Sequence, residues 1–538
     1  MILNLKFSIS LLFLVGFICI SGLSNTDNEA IRKHVEDITA GRAVVLMEES
    51  IYSSQLLPKA YTKREFEPIW DSKSQDALIK AIASAPEDGL NSEDYHFEAL
   101  TKLDSKKVDE LSIAAADILL TDAYLLYASH LLNGKTNPET IDGQWKATRR
   151  EGNALEHLEK ALSDGKIGES LGLLRPNSPR YYSLREALNQ YRKIADLGGW
   201  SVIPDGQTLK VGMIDSIRIP ALIARLRATN DLNQTPANTV IYSESVQRGV
   251  LHFQKRHGLE TDGDLGRLTT TALNVPVAKR VDQIKLNMER YRWLSQNLGN
   301  HYAMVNIADF HMSILKNDSV TFREKVIVGK PFRKTPVFSG NMTYMVLNPT
   351  WTVPKTILLN DILPQLQKDP IYLSQKKMKA FDLRVSTNQA VDPATVNWNE
   401  FSKNYFPFMI RQEPGELNAL GLVKFMFPNG YDVYVHDTPN RDLFSKNERI
   451  FSSGCIRLDN PFSLVNYHLS KNKDWTMAKV QEVIKGGQTT TINLKESMPI
   501  HILYLTAWAE DGLVQFRSDI YQRDTPLSVA LNEKAPSL

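Results

Sequence analysis

The chain has 538 residues, 42% of them hydrophobic and 23% charged, which fits soluble globular protein divided into about three or four domains. Its 63 Lys and Arg against 61 Asp and Glu leave a formal charge of +2, without any long block of like charge. That balance offers no electrostatic footprint for nucleic acid, and no nucleic-acid partner is expected.

The N-terminus reads as an export signal over residues 1–24. Lys6 precedes an apolar run, Phe7 to Ile20, broken only by Ser8, Ser10 and Gly16, and Gly22 and Ser24 then stand at the spacing a signal peptidase reads. Cleavage near Ser24 is expected. The alternative is an uncleaved anchor, for which the run is short against the ~20 residues of a span. Cys19 lacks the small preceding residue of a lipoprotein signal. The sequence has two cysteines, Cys19 and Cys455, so cleavage leaves one thiol in an oxidising compartment. It can make no internal disulfide, and such a thiol is either buried and inert or used.

Residues 25–204 read as a helical domain; Ile113 to Leu132 is apolar with helical spacing, and the scattered His96, His130 and His157 read as structural. Residues 205–276 form a smaller unit. Pro220 to Leu226 starts one helix, Val246, Val250 and Phe253 mark the apolar stripe of a second, and Leu268, Ala272 and Leu273 that of a third, with Gly258 and Asp262-Gly263 as breakers. The stretch VQRGVLHFQKRHGLETDGDLGRLTTTALN resembles the small three-helix peptidoglycan-binding domain, and a purely structural helical module is the alternative. Residues 277–298 read as a linker helix. From 299 to 525 short strands dominate: Tyr302 to Ile307, Ser313 to Leu315, Lys325 to Val328, Tyr344 to Leu347, Leu422 to Phe427 and Tyr431 to His436, then a hairpin turning on Asp511-Gly512. A helical, polar segment at about 361–411 interrupts them and reads as a cap over a site. Residues 526–538 are left as a C-terminal tail. The fold class is thus multidomain α+β.

In Tyr431 to His436 the alternation puts Val433 and Val435 on one face, Tyr434 and His436 on the other. Nineteen residues on, Ser453-Gly454-Cys455-Ile456-Arg457 precedes Asp459, Asn460 and Pro461, which read as a helix start. Cys455 therefore stands in a strand-to-helix connection, its side chain on the same face as Arg457. A thiolate is the attacking form of cysteine, and an imidazole within ~3 Å can take the thiol proton, giving an ion pair that lowers the thiol pKa. The backbone N–H groups of Gly454 and Cys455 are candidate oxyanion donors. Either the backbone carbonyl or the carboxylate of Asp437 would orient His436.

The phrase HDTPNRDLFSKNERIFSSGCIRL resembles the signature of YkuD-type L,D-transpeptidases: His, Thr-Pro, then Ser-x-Gly-Cys-x-Arg. Lys334-Thr335-Pro336, Asn348 to Pro354, Arg411 to Gly415, Asn418 to Gly421, Lys424 to Asn429 and TAWAEDGLVQFRSDIYQRD extend the likeness to the long multidomain enzymes of Gram-negative bacteria, with a scaffold, a peptidoglycan-binding module and a capped, mostly-β catalytic domain. The resemblance implies a periplasmic enzyme acting on peptidoglycan stem peptides and glycan, alongside cell-wall synthesis partners. Cys455 would attack a tetrapeptide stem, expel D-Ala and pass the acyl group to a second stem as a 3→3 cross-link. His436 would serve as base and then acid, and carbapenem β-lactams would acylate the same cysteine. Ser453 and Gly454 map onto motif positions beside the nucleophile. Arg457 is read as binding a stem carboxylate or making a structural salt bridge, Tyr434 as lining the donor pocket or packing, and Trp351 and Asn348 as fold elements.

Other classes stay open. Water as acceptor would make an L,D-carboxypeptidase or endopeptidase; loss of catalysis would leave a wall-binding protein. A papain-like peptidase would have its cysteine before its histidine, the reverse of this order. No metal or other cofactor is expected, since no further Cys or paired His stands near enough to complete a ligand set.

Overall fold

The computed structural model describes residues 27–103, 110–147, 149–150, 152–369 and 371–534. The expected signal segment, with Cys19, lies outside them. The architecture is multidomain α+β: a helical N-terminal region, a three-helix unit, and a mostly-β body that carries an insertion.

The N-terminal helices pack around Glu110–Asn133, a central helix buried on nearly every side from Ala114 to Leu132. A two-residue hairpin, β1 (Val45–Leu46) and β2 (Glu49–Ser50), turns through Met47 and Glu48, both at positive φ. His96 bridges Glu49 and Asp122, and His130 meets the Tyr95 hydroxyl at 3.0 Å. This region also reaches the β body directly: β3 (Trp145–Lys146) joins its main sheet as an edge strand.

The three-helix unit is built as its pattern suggests. Arg218–Ala228, Glu244–Arg256 and Arg267–Leu273 enclose Leu222, Leu226, Val246, Val250, Phe253 and Leu273. Leu268 departs from expectation. It is 63% exposed, because the short third helix turns Thr269, Thr270 and Leu273 inward instead. The following helix, Val277–Trp293, is more than a connection: from Leu286 to Leu294 every side chain is buried. Glu289 accepts from the Thr136 amide at 2.7 Å and pairs with Arg292, which in turn donates to the Asp88 carbonyl. This helix, Pro179–Asp196 and the terminal helix Asp524–Asn532 all pack into the core of the β body.

That body is one sheet wrapped on itself. Its strands are β4 (His301–Asn306), β5 (His311–Lys316), β6 (Ser319–Ile327), β7 (Val337–Leu347), β12 (Val423–Met426), β13 (Val435–His436), β14 (Ile456–Leu458) and β15 (Thr490–Leu503). The order is β12-β13-β14-β6-β5-β4-β15-β7-β3, and β12 also pairs with β7, closing the ring. The hairpin β16 (Ala507–Glu510) and β17 (Leu513–Phe516) turns on Asp511-Gly512 at positive φ.

The insertion is not purely helical, as its polar, proline-rich sequence suggests. It holds a four-stranded sheet, β10 (Ala390–Val391), β9 (Met378–Asp382), β11 (Phe408–Gln412) and β8 (Trp351–Thr352), in that order. The short helices from Lys355 to Gln375 pack against it around Leu358, Leu366, Trp398, Phe401 and Phe408. Its own apolar core explains the mixed structure: strands as short as these hold only when a helical layer covers one face.

Candidate active site

Strands β13 and β14 lie side by side in parallel, with Val435 opposite Ile456 and His436 opposite Arg457. The register fixes the site. Val435 and Ile456 are fully buried in the core, so Tyr434, His436, Cys455 and Arg457 share the other face. That face is the wall of a cavity of about 780 Å³. The loop between β6 and β7, Trp351 to Asp361 of the insertion, and Ala419-Leu420 complete the walls. The structure thus brings together the residues that the sequence places in one constellation. It adds Trp351, read from sequence as a fold element, to the wall.

His436 is buried at the end of β13, and its Nδ1 is hydrogen-bonded to the Asp437 carbonyl. A carbonyl only accepts, so Nδ1 carries the proton and Nε2 keeps its lone pair. Of the two orienting candidates, the contact is therefore made by the carbonyl. The Asp437 carboxylate accepts instead from the Leu422 amide at 2.8 Å, the Thr438 amide at 2.7 Å and Arg441. Gly421 permits this: a Cβ there would meet the Asp437 carboxyl at 2.3 Å, and φ is +61°.

Cys455 is half-buried, its Sγ 3.6 Å from the Asp432 carbonyl and its backbone opposite Tyr434. Burial pushes the thiol up from its ordinary value, against hydrogen bonding from Tyr434 and the nearby Arg457 charge. Burial, then Arg457, pushes His436 down to about 3. Both groups accordingly rest uncharged. Desolvation disfavours both ions, and His436 and Cys455 are diagonal rather than direct partners across the two strands.

The nucleophile loop is pinned from below. Thr335 Oγ1 donates to the Gly454 carbonyl at 2.9 Å and accepts from the Gly329 amide at 2.9 Å, while Tyr521 Oη donates to the Gly329 carbonyl at 2.6 Å. Gly329 has no room for a side chain; a Cβ would lie 2.1 Å from the Arg333 carbonyl. Gly454 sits at φ +118°, and its N–H donates to Ser452 Oγ at 3.1 Å. That engagement removes Gly454 from the expected pair of oxyanion donors. The Cys455 amide precedes the first ladder pair of β14 and is the one that remains.

Ser453 is exposed and accepts a hydrogen bond from Arg333 at 3.0 Å. Arg333 also pairs with Asp361 of the insertion, so one guanidinium joins the cap to the nucleophile loop. Neither residue was singled out by sequence reasoning, because the pairing spans 28 residues and carries no local pattern. Arg457 makes no salt bridge among the described residues, and its buried Nε has no partner there. The structural alternative for Arg457 therefore finds no acidic partner. Asn348 holds the carbonyl of Val483 at 2.8 Å, well away from the cavity wall.

Residues 300–481 match the YkuD family, described as the L,D-transpeptidase catalytic domain, and residues 55–188 match the Scaffold domain family. A Haemophilus influenzae protein named "Putative L,D-transpeptidase" is 31% identical over 259 residues, 48% of this chain and 51% of that one. The chain thus spans about half the length of this curated relative. A crystal structure of the L,D-transpeptidase (residues 123–326) from Xylanimonas cellulosilytica aligns with 56% of this chain and 99% of that one at 14% identity. Its TM-score is 0.17, too low to bear on the fold. The sequence match, with His436 and Cys455 inside it, assigns residues 300–481 to the YkuD family of L,D-transpeptidase catalytic domains, here preceded by a scaffold domain.

Proposed function

We propose that the protein forms 3→3 cross-links in peptidoglycan through a thioester on Cys455. The observation that carries this reading is the thiol on the wall of a cavity of about 780 Å³, sharing one sheet face with an imidazole whose Nδ1–H is held by a backbone carbonyl.

Nε2 of His436 takes the Cys455 proton as sulfur attacks the diaminopimelate carbonyl of a tetrapeptide stem. The Cys455 N–H faces the developing oxyanion. The C–N bond to D-Ala breaks, and the imidazolium returns the proton to the departing amine. The side-chain amine of a second stem then attacks the thioester carbonyl, gives a proton to Nε2, and releases the thiol as the C–S bond breaks. Arg457, without an acidic partner among the described residues, binds a stem carboxylate, and Tyr434 lines the donor side. Export to the periplasm, contact with glycan through residues 205–276, association with cell-wall synthesis proteins and acylation by carbapenems belong to the same proposal.

The test is to incubate the wild type and Cys455→Ala with disaccharide-tetrapeptide and resolve the products by mass spectrometry. A dimer lacking one D-Ala, absent with Cys455→Ala, is the expected result. Tripeptide alone would make water the acceptor and the protein an L,D-carboxypeptidase. The absence of any thiol-dependent product would refute the enzymatic reading.

A further inference from the structure

The motif Lys424 to Asn429 has so far been given no part in the chemistry. Its first residue is placed by register. β12 runs antiparallel to β13 with Lys424 directly opposite His436, and β13 runs parallel to β14 with His436 directly opposite Arg457. The three side chains form one cross-strand row on the same sheet face, with cations on both sides of the imidazole. Directly opposed residues in such a row stand with Cβ atoms about 4.5–5.5 Å apart.

Lys424 is only partly buried, its Nζ 5.7 Å from the centre of the Tyr434 ring, and that ring meets the His436 ring edge-on at 5.5 Å. Among the described residues no carboxylate forms a salt bridge with Lys424, and burial alone accounts for the lowering of its proton affinity. An ordinary structural lysine would have an acidic partner or a solvated ammonium.

We propose that Lys424 is a positioning residue: opposite His436 and across it from Arg457, its ammonium adds to burial and to Arg457 in holding the imidazole in the uncharged, proton-accepting form that thiol activation requires. It lies outside the residues lining the cavity and acts only through His436. The proposal rests on the assignment of His436 as the base.

Burial disfavours the imidazolium most, Arg457 next, and Lys424 adds to them; the other groups facing the imidazole do not share this role. From β13 itself come Tyr434 and Asp437, whose carboxylate is spent on the Leu422 and Thr438 amides and Arg441. From β14 come Arg457 and the uncharged Cys455 thiol, and from the preceding loop the Leu420 carbonyl. The two cations oppose protonation, and the carbonyls of Asp437 and Leu420 favour it. A like charge near an imidazole disfavours its protonation.

The experiment uses the full chain with Lys424→Met, Lys424→Gln and Lys424→Arg, with folding checked by circular dichroism. The His436 imidazole is followed by nitrogen NMR with histidine-labelled protein, its resonances assigned through His436→Gln. The expected result is an upward move of the His436 midpoint by about one pH unit in the Met and Gln variants, with Arg close to wild type. The acid limb of kcat/KM should move with it. An unmoved midpoint in Met and Gln, or an equal move in all three, overturns the proposal; the second pattern would mark a packing effect. The NMR midpoint needs no turnover. A shift without cross-linking would therefore refute the proposed function and leave this inference standing.

Discussion

Cys455 and His436 share a wall, yet each is held by its surroundings in the uncharged form. A thiol raised by burial and an imidazole lowered by burial and Arg457 both favour the neutral pair over the ion pair. The free protein should accordingly react slowly with iodoacetamide at neutral pH, the rate still climbing above pH 9. A plateau between pH 5 and 7 would instead report a stored thiolate. This electrostatic state was not legible in the sequence. Spacing and motif put His436, Cys455 and Arg457 together, but the burial of each, and the absence of a salt bridge to Arg457 among the described residues, are set by strands and loops from elsewhere in the chain. The same is true of Gly454: the sequence shows a glycine beside the nucleophile but not that its N–H turns to Ser452.

Between residue and molecule, the strands were the more legible elements. β4 and β12 fall where apolar runs place them, β7 starts at Val337, seven residues ahead of the Tyr344 to Leu347 read from sequence, and the register of β13 against β14 follows from the buried pair Val435 and Ile456. The insertion begins earlier than the sequence reading of about 361–411, with β8 at Trp351–Thr352, and its strands were missed because two- to five-residue strands with prolines between them leave little period to detect. Its link to the site is Arg333, shared between Asp361 and Ser453. If this latch helps keep water from the thioester, Asp361→Asn should raise the ratio of tripeptide to cross-linked dimer several-fold, with total stem turnover changing little. Product ratios by mass spectrometry decide it, and an unchanged ratio would reduce the pair to a surface contact.

For the whole molecule, the boundaries drawn from sequence divide what packing joins. β3 extends the main sheet from the helical region, and the helix Val277–Trp293 carries Glu289 and Arg292 into contact with Thr136 and Asp88. Composition and periodicity cannot reveal such long-range contacts. One consequence concerns acid stability. Burial holds His130 and His436 down to about 3 and His468 to about 4, whereas unfolded imidazoles titrate near 6.5. Below that value the unfolded chain binds more protons than the fold, so stability falls as pH drops from about 6.5 toward 4. The slope approaches ~1.4 kcal/mol per pH unit for each proton taken up. Urea unfolding at pH 7 and pH 5 should show a lower midpoint at pH 5, and equal midpoints would contradict the burial of these rings. The central claim, that Cys455 forms the covalent intermediate, is tested most directly by intact-protein and peptide mass spectrometry after rapid quenching with tetrapeptide stem. The account predicts an adduct equal to the stem minus D-Ala, confined to the peptide containing Cys455; no adduct, or one on another residue, would contradict it.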